Sequence, residues 1–189
     1  MKNLRRFLWG LSATTMGMLL FAASAWAAVL SLPYFSQRDS QWSSQKMRTS
    51  TTTLGQAGCA TTSMSMLLRF RGADVDPGKL NSWLNSNNGY DSSLQIDWGK
   101  AARYKGTNWL TYEGTGSITS LADLSRQLDN RKLIIAKSSR FGSHFVAIRG
   151  VTPDGRQGYY WDPYDTTATQ RRIGDGWVNL GASTRVFRY

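Results

Sequence analysis

Cysteine and histidine are almost absent from this 189-residue sequence, which has one of each, Cys59 and His144. A zinc cluster of Cys and His ligands needs about three or four such residues, and a disulfide needs a pair of cysteines, so the sequence excludes both within the chain. Proline is scarce, with 4 residues, and 41% of positions are hydrophobic, which excludes a disordered or collagen-like chain. Any chemistry must therefore use these two single residues, carboxylates or hydroxyls.

Acidic residues are also few, since 12 Asp and Glu stand against 23 Lys and Arg, and the formal net charge is +11. Beyond residue 27 the basic residues are scattered, with adjacent pairs only at 131–132 and 171–172. A compact patch that would bind a phosphate backbone is therefore not predicted. We expect no nucleic-acid partner, and only weak attraction to anionic wall polymer or to a membrane surface.

The N-terminus has the layout of a secretory signal peptide. Three basic residues precede an apolar run over residues 7–23, and Ala25 and Ala27 then stand at the two positions that signal peptidase recognises. We therefore expect residues 1–27 to be removed by cleavage after Ala27.

An uncleaved membrane anchor is the alternative, because residues 7–25 are just long enough to cross a bilayer. With either outcome the rest of the chain, residues 28–189, is expected to form one exported domain, periplasmic or secreted. Contact with a membrane is expected only through an uncleaved signal.

Apolar spacing predicts four helices in the first two thirds of this domain, after an extended segment and a polar loop over residues 38–58. Asp76 followed by Pro77 is typical of a helix start, and Thr119 or Ser120 is expected to cap the last helix. The predicted helices occupy residues 59–71, 77–87, 94–104 and 121–128.

The second half of the domain favours β-strands. Runs of β-branched and aromatic residues predict strands, and the Pro-Asp-Gly sequence at residues 153–155 predicts the turn of a hairpin. Helices followed by antiparallel strands indicate a single α+β domain, which we expect to be a monomer. The predicted strands occupy residues 133–136, 144–148 and 158–161.

Cys59 follows Gly58 and opens the first predicted helix. Unpaired backbone N–H groups and the helix dipole favour an anion at that position, so a thiolate there would be a nucleophile. An unpaired thiol is also unusual in an exported protein. The alternative is an inert cysteine that packs as a small apolar residue.

His144 is the residue best suited to act as a base near neutral pH, and it opens a predicted strand. Asp162 follows the partner strand. If residues 153–155 form a three-residue loop, Asp162 pairs with Val146 and shares a face with His144, whereas a loop of even length puts the two on opposite faces. Asp165 is the alternative partner. A cysteine on a helix with a histidine and an acid on a sheet is the arrangement that papain-like chemistry needs.

Four blocks of the sequence together match the pattern of a known family: residues 32–42, 58–66, 142–150 and 161–163. They resemble the secreted branch of cysteine peptidases related to bacteriocin-processing (double-glycine leader) peptidases, which form family thirty-nine of the cysteine class. The blocks occur in the order of that family, and the resemblance covers most of residues 31–165. It implies a stand-alone domain with a papain-like fold.

The resemblance also implies site residues. By position in the blocks, Cys59 is the nucleophile, His144 the general base and acid, and Asp162 the residue that orients the imidazole. Gln37 corresponds to the oxyanion-hole glutamine, whose amide N–H beside the Cys59 backbone N–H could receive the negative oxygen formed during acyl transfer. Gln56 is the alternative glutamine, because it lies three residues before Cys59.

These residues imply an exported cysteine peptidase that hydrolyses peptide or isopeptide bonds of a peptide or protein substrate without a cofactor. The bacteriocin-processing members are fused to a transporter and an ATPase, whereas this sequence has no phosphate-binding loop, so leader-peptide maturation coupled to export is not expected. The alternatives are a cell-wall peptide amidase, a transglutaminase-like acyl transferase with the same triad, and a non-catalytic binding module whose tryptophans line a groove.

Overall fold

A computed structural model describes residues 29–189 of the protein. The predicted signal peptide, residues 1–27, lies outside the described residues. None of the helices within residues 29–189 is long and apolar enough to cross a membrane. The helices are α1 (Leu54–Ala57), α2 (Cys59–Phe70), α3 (Pro77–Ser86), α4 (Trp98–Ala102) and α5 (Leu121–Asp129), with a single 3-10 turn at Tyr104–Gly106.

The helix starts follow the capping residues in the sequence. The Asp76 side chain accepts a hydrogen bond from the backbone of Lys79 at 2.7 Å, and the Ser120 side chain caps α5 in the same way. Two predictions were wrong in detail. Helix α1 lies inside the segment predicted to be a loop, and α4 begins only at Trp98 because residues 90–96 form a turn closed by a bridge between Tyr90 and Ile96.

The six strands are β1 (Thr111–Ser117), β2 (Lys132–Ser138), β3 (His144–Val151), β4 (Gly158–Trp161), β5 (Gln170–Arg172) and β6 (Ser183–Arg188). They form one antiparallel sheet with the order β1-β6-β2-β3-β4-β5. The three strands predicted from the sequence are the adjacent β2, β3 and β4, and the other three were not predicted. The outer strands β1 and β5 are mostly exposed and polar, so they lack the apolar pattern that identifies a strand.

Helices cover the central strands on both faces. Leu133 and Ile135 of β2 belong to the core that includes α2, whereas Ile134 and Ala136 belong to the core on the α5 side. This double burial explains why β2 has a continuous apolar run in place of an alternating one. The predicted α+β class is confirmed, and α2 packs directly on β3, which brings the N-terminal ends of these two elements into one region.

Candidate active site

Cys59 is the first residue of α2 and is partly exposed. The chain reaches it through Gly58, where a side chain would not fit: a Cβ atom would lie 2.5 Å from the carbonyl oxygen of Leu54 and 2.7 Å from its Cδ2. Gly58 therefore lets α1 turn tightly into α2, so that the thiol sits where unpaired backbone N–H groups begin the helix.

Cys59 and His144 line the same cavity, which has a volume of about 610 Å³. Its described walls carry no Asp, Glu, Lys or Arg side chain. They come from the segment before α2, the turn before α4, the loop between β2 and β3, the start of β3 and the residues after β4. The lining residues are Gln37, Thr52, Gln56, Ala57, Cys59, Ala60, Ser93, Leu94, Gln95, Ile96, Phe141, Ser143, His144, Phe145 and Tyr164.

His144 and Asp162 form a buried pair beside this cavity. Nε2 of His144 lies 2.6 Å from Oδ1 of Asp162, and the two residues are 3% and 0% exposed. The same Oδ1 accepts a hydrogen bond from the backbone N–H of Tyr164 at 2.8 Å. Because Nε2 is engaged by Asp162, Nδ1 is the ring nitrogen left for Cys59, with which the imidazole also interacts.

The hairpin between β3 and β4 has a loop of even length, the second of the two cases that the sequence left open. The backbone N–H of Thr152 donates to the carbonyl of Gln157 at 2.7 Å, so the loop is residues 153–156 and has an even number of residues. With regular pairing, such a loop would put His144 and Asp162 on opposite faces of the sheet.

A β-bulge restores the register that brings the pair together. The pairing shifts by one residue at Arg149, and the adjacent Gly150 has a positive φ of 147°, which residues with a side chain rarely adopt. Beyond the bulge Ala147 pairs with Trp161, which places Asp162 one position further along on the face of His144. His144 and Asp162 therefore share the face that a three-residue loop would have given them, but the cause is the bulge and not the loop length.

Hydrogen bonds and charges set the ionisation of this pair. Burial by itself lowers the pKa of His144, but the hydrogen bonds and charges of Asp162 and Cys59 outweigh it and raise the pKa from 6.5 to about 9. Burial acts to raise the pKa of Asp162, and the contacts with His144 and Arg140 outweigh it and lower the pKa from 3.8 to about 2. Imidazolium and carboxylate are thus both favoured across neutral pH.

We predict that His144 stays protonated through pH 8 and titrates near pH 9. The folded-state pKa lies above the unfolded value, so the stability that the pair contributes is complete below about pH 6.5 and is lost as the pH rises through about 9. NMR titration of the ring measures this directly, because the sequence has a single histidine. Cys59→Ala should lower the midpoint, and a wild-type midpoint at the ordinary value of about 6.5 would contradict the geometry.

Asp165 does not contact His144 in the structure. Its carboxylate accepts two hydrogen bonds from Arg171, both at 2.7 Å, and one from Arg140 at 3.0 Å. The sequence offered Asp162 and Asp165 as partners of His144, and Asp162 is the one that contacts the imidazole.

The two candidate glutamines have different environments. Gln37 is 2% exposed, and its Nε2 donates to the carbonyl of Gly55 at 3.0 Å, which leaves its second amide hydrogen free to donate. Its Oε1 is buried and has no hydrogen-bond partner within the described chain. Gln56 is exposed, and its Oε1 accepts from the backbone N–H of Thr53 at 2.9 Å to cap α1. Both glutamines line the cavity, and Gln37 is the buried one.

Several residues around the pair were not predicted from the sequence. Arg140 contacts Asp162, and the rings of Phe141 and Tyr164 lie 5.8 and 6.4 Å from the His144 ring. Each of these three residues lies within four positions of His144 or Asp162 in the sequence. No sequence pattern predicts that a side chain in a loop contacts a residue so near to it in the chain.

The six tryptophans within residues 29–189 do not line this cavity. Trp42 and Trp161 are buried in the core, and Trp83, Trp98 and Trp109 pack against it, as large aromatic residues usually do in a small domain. Trp177 is 37% exposed and lies against arginine side chains. The groove of tryptophans that a binding module would use is therefore absent from the walls around Cys59.

Comparison with known proteins finds a family model that covers most of the described region. The model of the Peptidase_C39 like family matches residues 29–183. Among solved structures, a C39-like peptidase from Bacillus anthracis superposes with a TM-score of 0.48 and 14% sequence identity, over 86% of this chain and 98% of that chain. No curated protein matches the sequence.

Proposed function

The chain belongs to the Peptidase C39-like family, and from that premise we propose that it is an exported cysteine peptidase. We propose that it hydrolyses peptide or isopeptide bonds with Cys59 as nucleophile, His144 as general base and acid, and Asp162 as the residue that orients the imidazole. The observation that carries this proposal is the buried hydrogen bond between His144 and Asp162 beside the helix start that holds Cys59.

The reaction begins with attack of the Cys59 thiolate on the carbonyl carbon of the scissile amide. The tetrahedral intermediate carries the negative charge on the former carbonyl oxygen. When it collapses, the C–N bond breaks and His144 gives its proton to the leaving amine. His144 then takes a proton from water, which attacks the thioester. Collapse of this second tetrahedral intermediate releases the carboxylic acid product and the Cys59 thiolate, and His144 is again protonated.

Gln37 and the backbone N–H of Cys59 are proposed to bind this oxyanion. Donors that are already fixed are effective because they need no reorganisation when charge develops. The buried position of Gln37 and its hydrogen bond to Gly55 support this role, whereas Gln56 is exposed and its oxygen already caps a helix.

We predict that Gln37→Ala lowers kcat about 10²-fold to 10³-fold with little change in KM, because an oxyanion donor acts mainly in the transition state. Gln56→Ala, the matched change, should lower kcat less than about tenfold. Steady-state kinetics on one peptide substrate compares the two. The reverse order of effects would assign the oxyanion site to Gln56.

The walls of the cavity suggest a class of substrate. Among the described lining residues the side chains are small, amide, aromatic or apolar, and His144 supplies the positive charge. We propose that the residues next to the scissile bond are uncharged. Export of the domain is part of the same proposal and is supported by the signal-like composition of residues 1–27.

The test is hydrolysis by purified residues 28–189 beside Cys59→Ala, with a mixed peptide library and isolated cell wall as separate substrates, each followed by mass spectrometry. Cleavage of library peptides by the wild type alone supports the peptidase. Products from cell wall alone would favour the amidase, and transfer of the acyl group to added hydroxylamine without hydrolysis would favour the acyl transferase. Binding of peptides without any product would favour the binding module.

A further inference from the structure

The carboxylate of Asp162 has two oxygens, and the proposed reaction uses one of them. Oδ1 faces His144, at 2.6 Å from Nε2. Oδ2 accepts a hydrogen bond from Nη1 of Arg140 at 2.7 Å. Asp162 has no solvent exposure, so Arg140 supplies at Oδ2 the partner that water cannot.

We propose that Arg140 is a positioning residue of this site, which fixes the plane of the Asp162 carboxylate and thereby keeps Oδ1 on His144. The inference deepens the proposed function and rests on it, since it concerns the residue that orients the imidazole. Arg140 is not part of the cavity wall, so it acts through Asp162 and not on the substrate.

The neighbouring arginine does not replace this contact. Arg171 binds Asp165 with two hydrogen bonds of 2.7 Å, and its Nε lies 4.0 Å from Oδ2 of Asp162. Nη1 of Arg140 also lies 3.0 Å from Oδ1 of Asp165, so one nitrogen joins both carboxylates. Two acids and two arginines then balance in charge, and Arg140 separates carboxylates that would otherwise repel each other.

Aromatic rings hold Arg140 in this place. Its guanidinium carbon lies 4.4 Å from the centre of the Trp177 ring and 4.8 Å from that of Phe141, and Arg171 lies 4.5 Å from the same Trp177 ring. The backbone N–H of Ser139 donates to the carbonyl of Trp177 at 2.9 Å, which ties the loop to this ring. A stacked, planar guanidinium is thus fixed before any substrate binds.

Loss of Arg140 has opposite consequences for two roles that it could have. If Arg140 positions Asp162, its loss lets Oδ2 turn toward Arg171, and His144 loses its acceptor and is less readily protonated. If Arg140 contributes charge alone, its loss removes a cation near the imidazolium, and His144 is more readily protonated. The direction in which the His144 titration moves therefore separates the two roles.

The experiment compares Arg140→Met with Arg156→Met, an arginine whose side chain is 86% exposed at the tip of the β3–β4 hairpin. For Arg140→Met we expect the His144 midpoint, read by NMR, to fall from about 9 toward 6.5. We also expect kcat to fall about tenfold or more with KM within about twofold, as for other groups that orient a catalytic side chain. Arg156→Met should match the wild type in all three quantities.

Two further variants extend the test. Arg140→Lys should recover part of kcat and of the midpoint, because an ammonium keeps the charge but lacks the planar fork of the guanidinium. The double variant Arg140→Met/Asp165→Asn removes one positive and one negative charge, so the net charge of the cluster is unchanged. If Arg140→Met fails to fold, we expect the same fall of the His144 midpoint and of kcat in this double variant. A midpoint that stays at about 9 or rises, or a kcat within about twofold of wild type, would overturn the proposal.

The titration needs no substrate, which keeps this inference separate from the proposed function. A wild type that hydrolyses nothing would refute the peptidase. The movement of the His144 midpoint in Arg140→Met would still report whether Arg140 positions Asp162.

Discussion

Replacing Cys59 with alanine is expected to lower kcat for peptide hydrolysis by about 10⁴-fold or more, because the nucleophile is lost and no acyl-enzyme can form. Other thiols cannot take over the reaction, since the sequence has no second cysteine. Alanine suits a helix start and removes only a partly exposed sulfur, so the fold should remain intact. Steady-state hydrolysis with a matched thermal melt measures both effects.

Cys59→Ser is the matched control for this prediction. It keeps the size of the side chain and a hydroxyl nucleophile, but a hydroxyl is far harder to ionise than a thiol, so the residual kcat should stay low. If Cys59→Ala keeps most of the hydrolytic activity, the thiol is not the nucleophile and the proposed mechanism is wrong.

Asp162→Asn is expected to have the second largest effect. The amide is neutral, so His144 loses the charge that helps to keep it protonated, and kcat should fall about 10³-fold to 10⁴-fold. The change also breaks a buried ion pair with Arg140 and His144, so the free energy of unfolding should fall by about 3 kcal/mol or more. Kinetics and denaturant unfolding at pH 7 measure the two quantities.

Two other aspartates provide the comparison. Asp129→Asn changes an exposed residue at the end of α5 and should leave both quantities unchanged. Asp165→Asn removes a neighbour of Asp162 that does not touch His144, so its loss of kcat should be smaller than that of Asp162→Asn. A larger loss for Asp165→Asn would make Asp165 the orienting acid.

The elements that could be predicted from the sequence are those that are buried and also have strong local signals, such as helix caps and apolar spacing. Helix α2 has a clear apolar face after Gly58, and α3 and α5 begin at side chains that do cap them. The three central strands are rich in β-branched or aromatic residues because both of their faces are covered. The outer strands β1 and β5 are mostly exposed, so their sequences lack the apolar residues that burial of a strand requires.

The site could be predicted in its residue types but not in its geometry. Whether Asp162 reaches His144 depends on the bulge at Arg149, and a bulge compensates a loop of even length without any distinctive side chain in the sequence. The choice between Gln37 and Gln56 depends on burial, which the sequence around each does not reveal. The contact of Arg140 with Asp162 joins residues that are 22 positions apart, and it exists only in the fold.

The central claim is that the imidazolium of His144 stabilises a thiolate at Cys59. The most direct measurement is the rate of alkylation by iodoacetamide at pH 6, compared between residues 28–189 and the same domain with His144→Ala, and followed by intact mass. Iodoacetamide is neutral, so the charge of the site does not attract it. We expect the wild type to react at least about tenfold faster than the variant, since alkylation needs the thiolate. Equal rates, or no labelling of the wild type until it is unfolded, would contradict the claim and leave Cys59 an inert thiol.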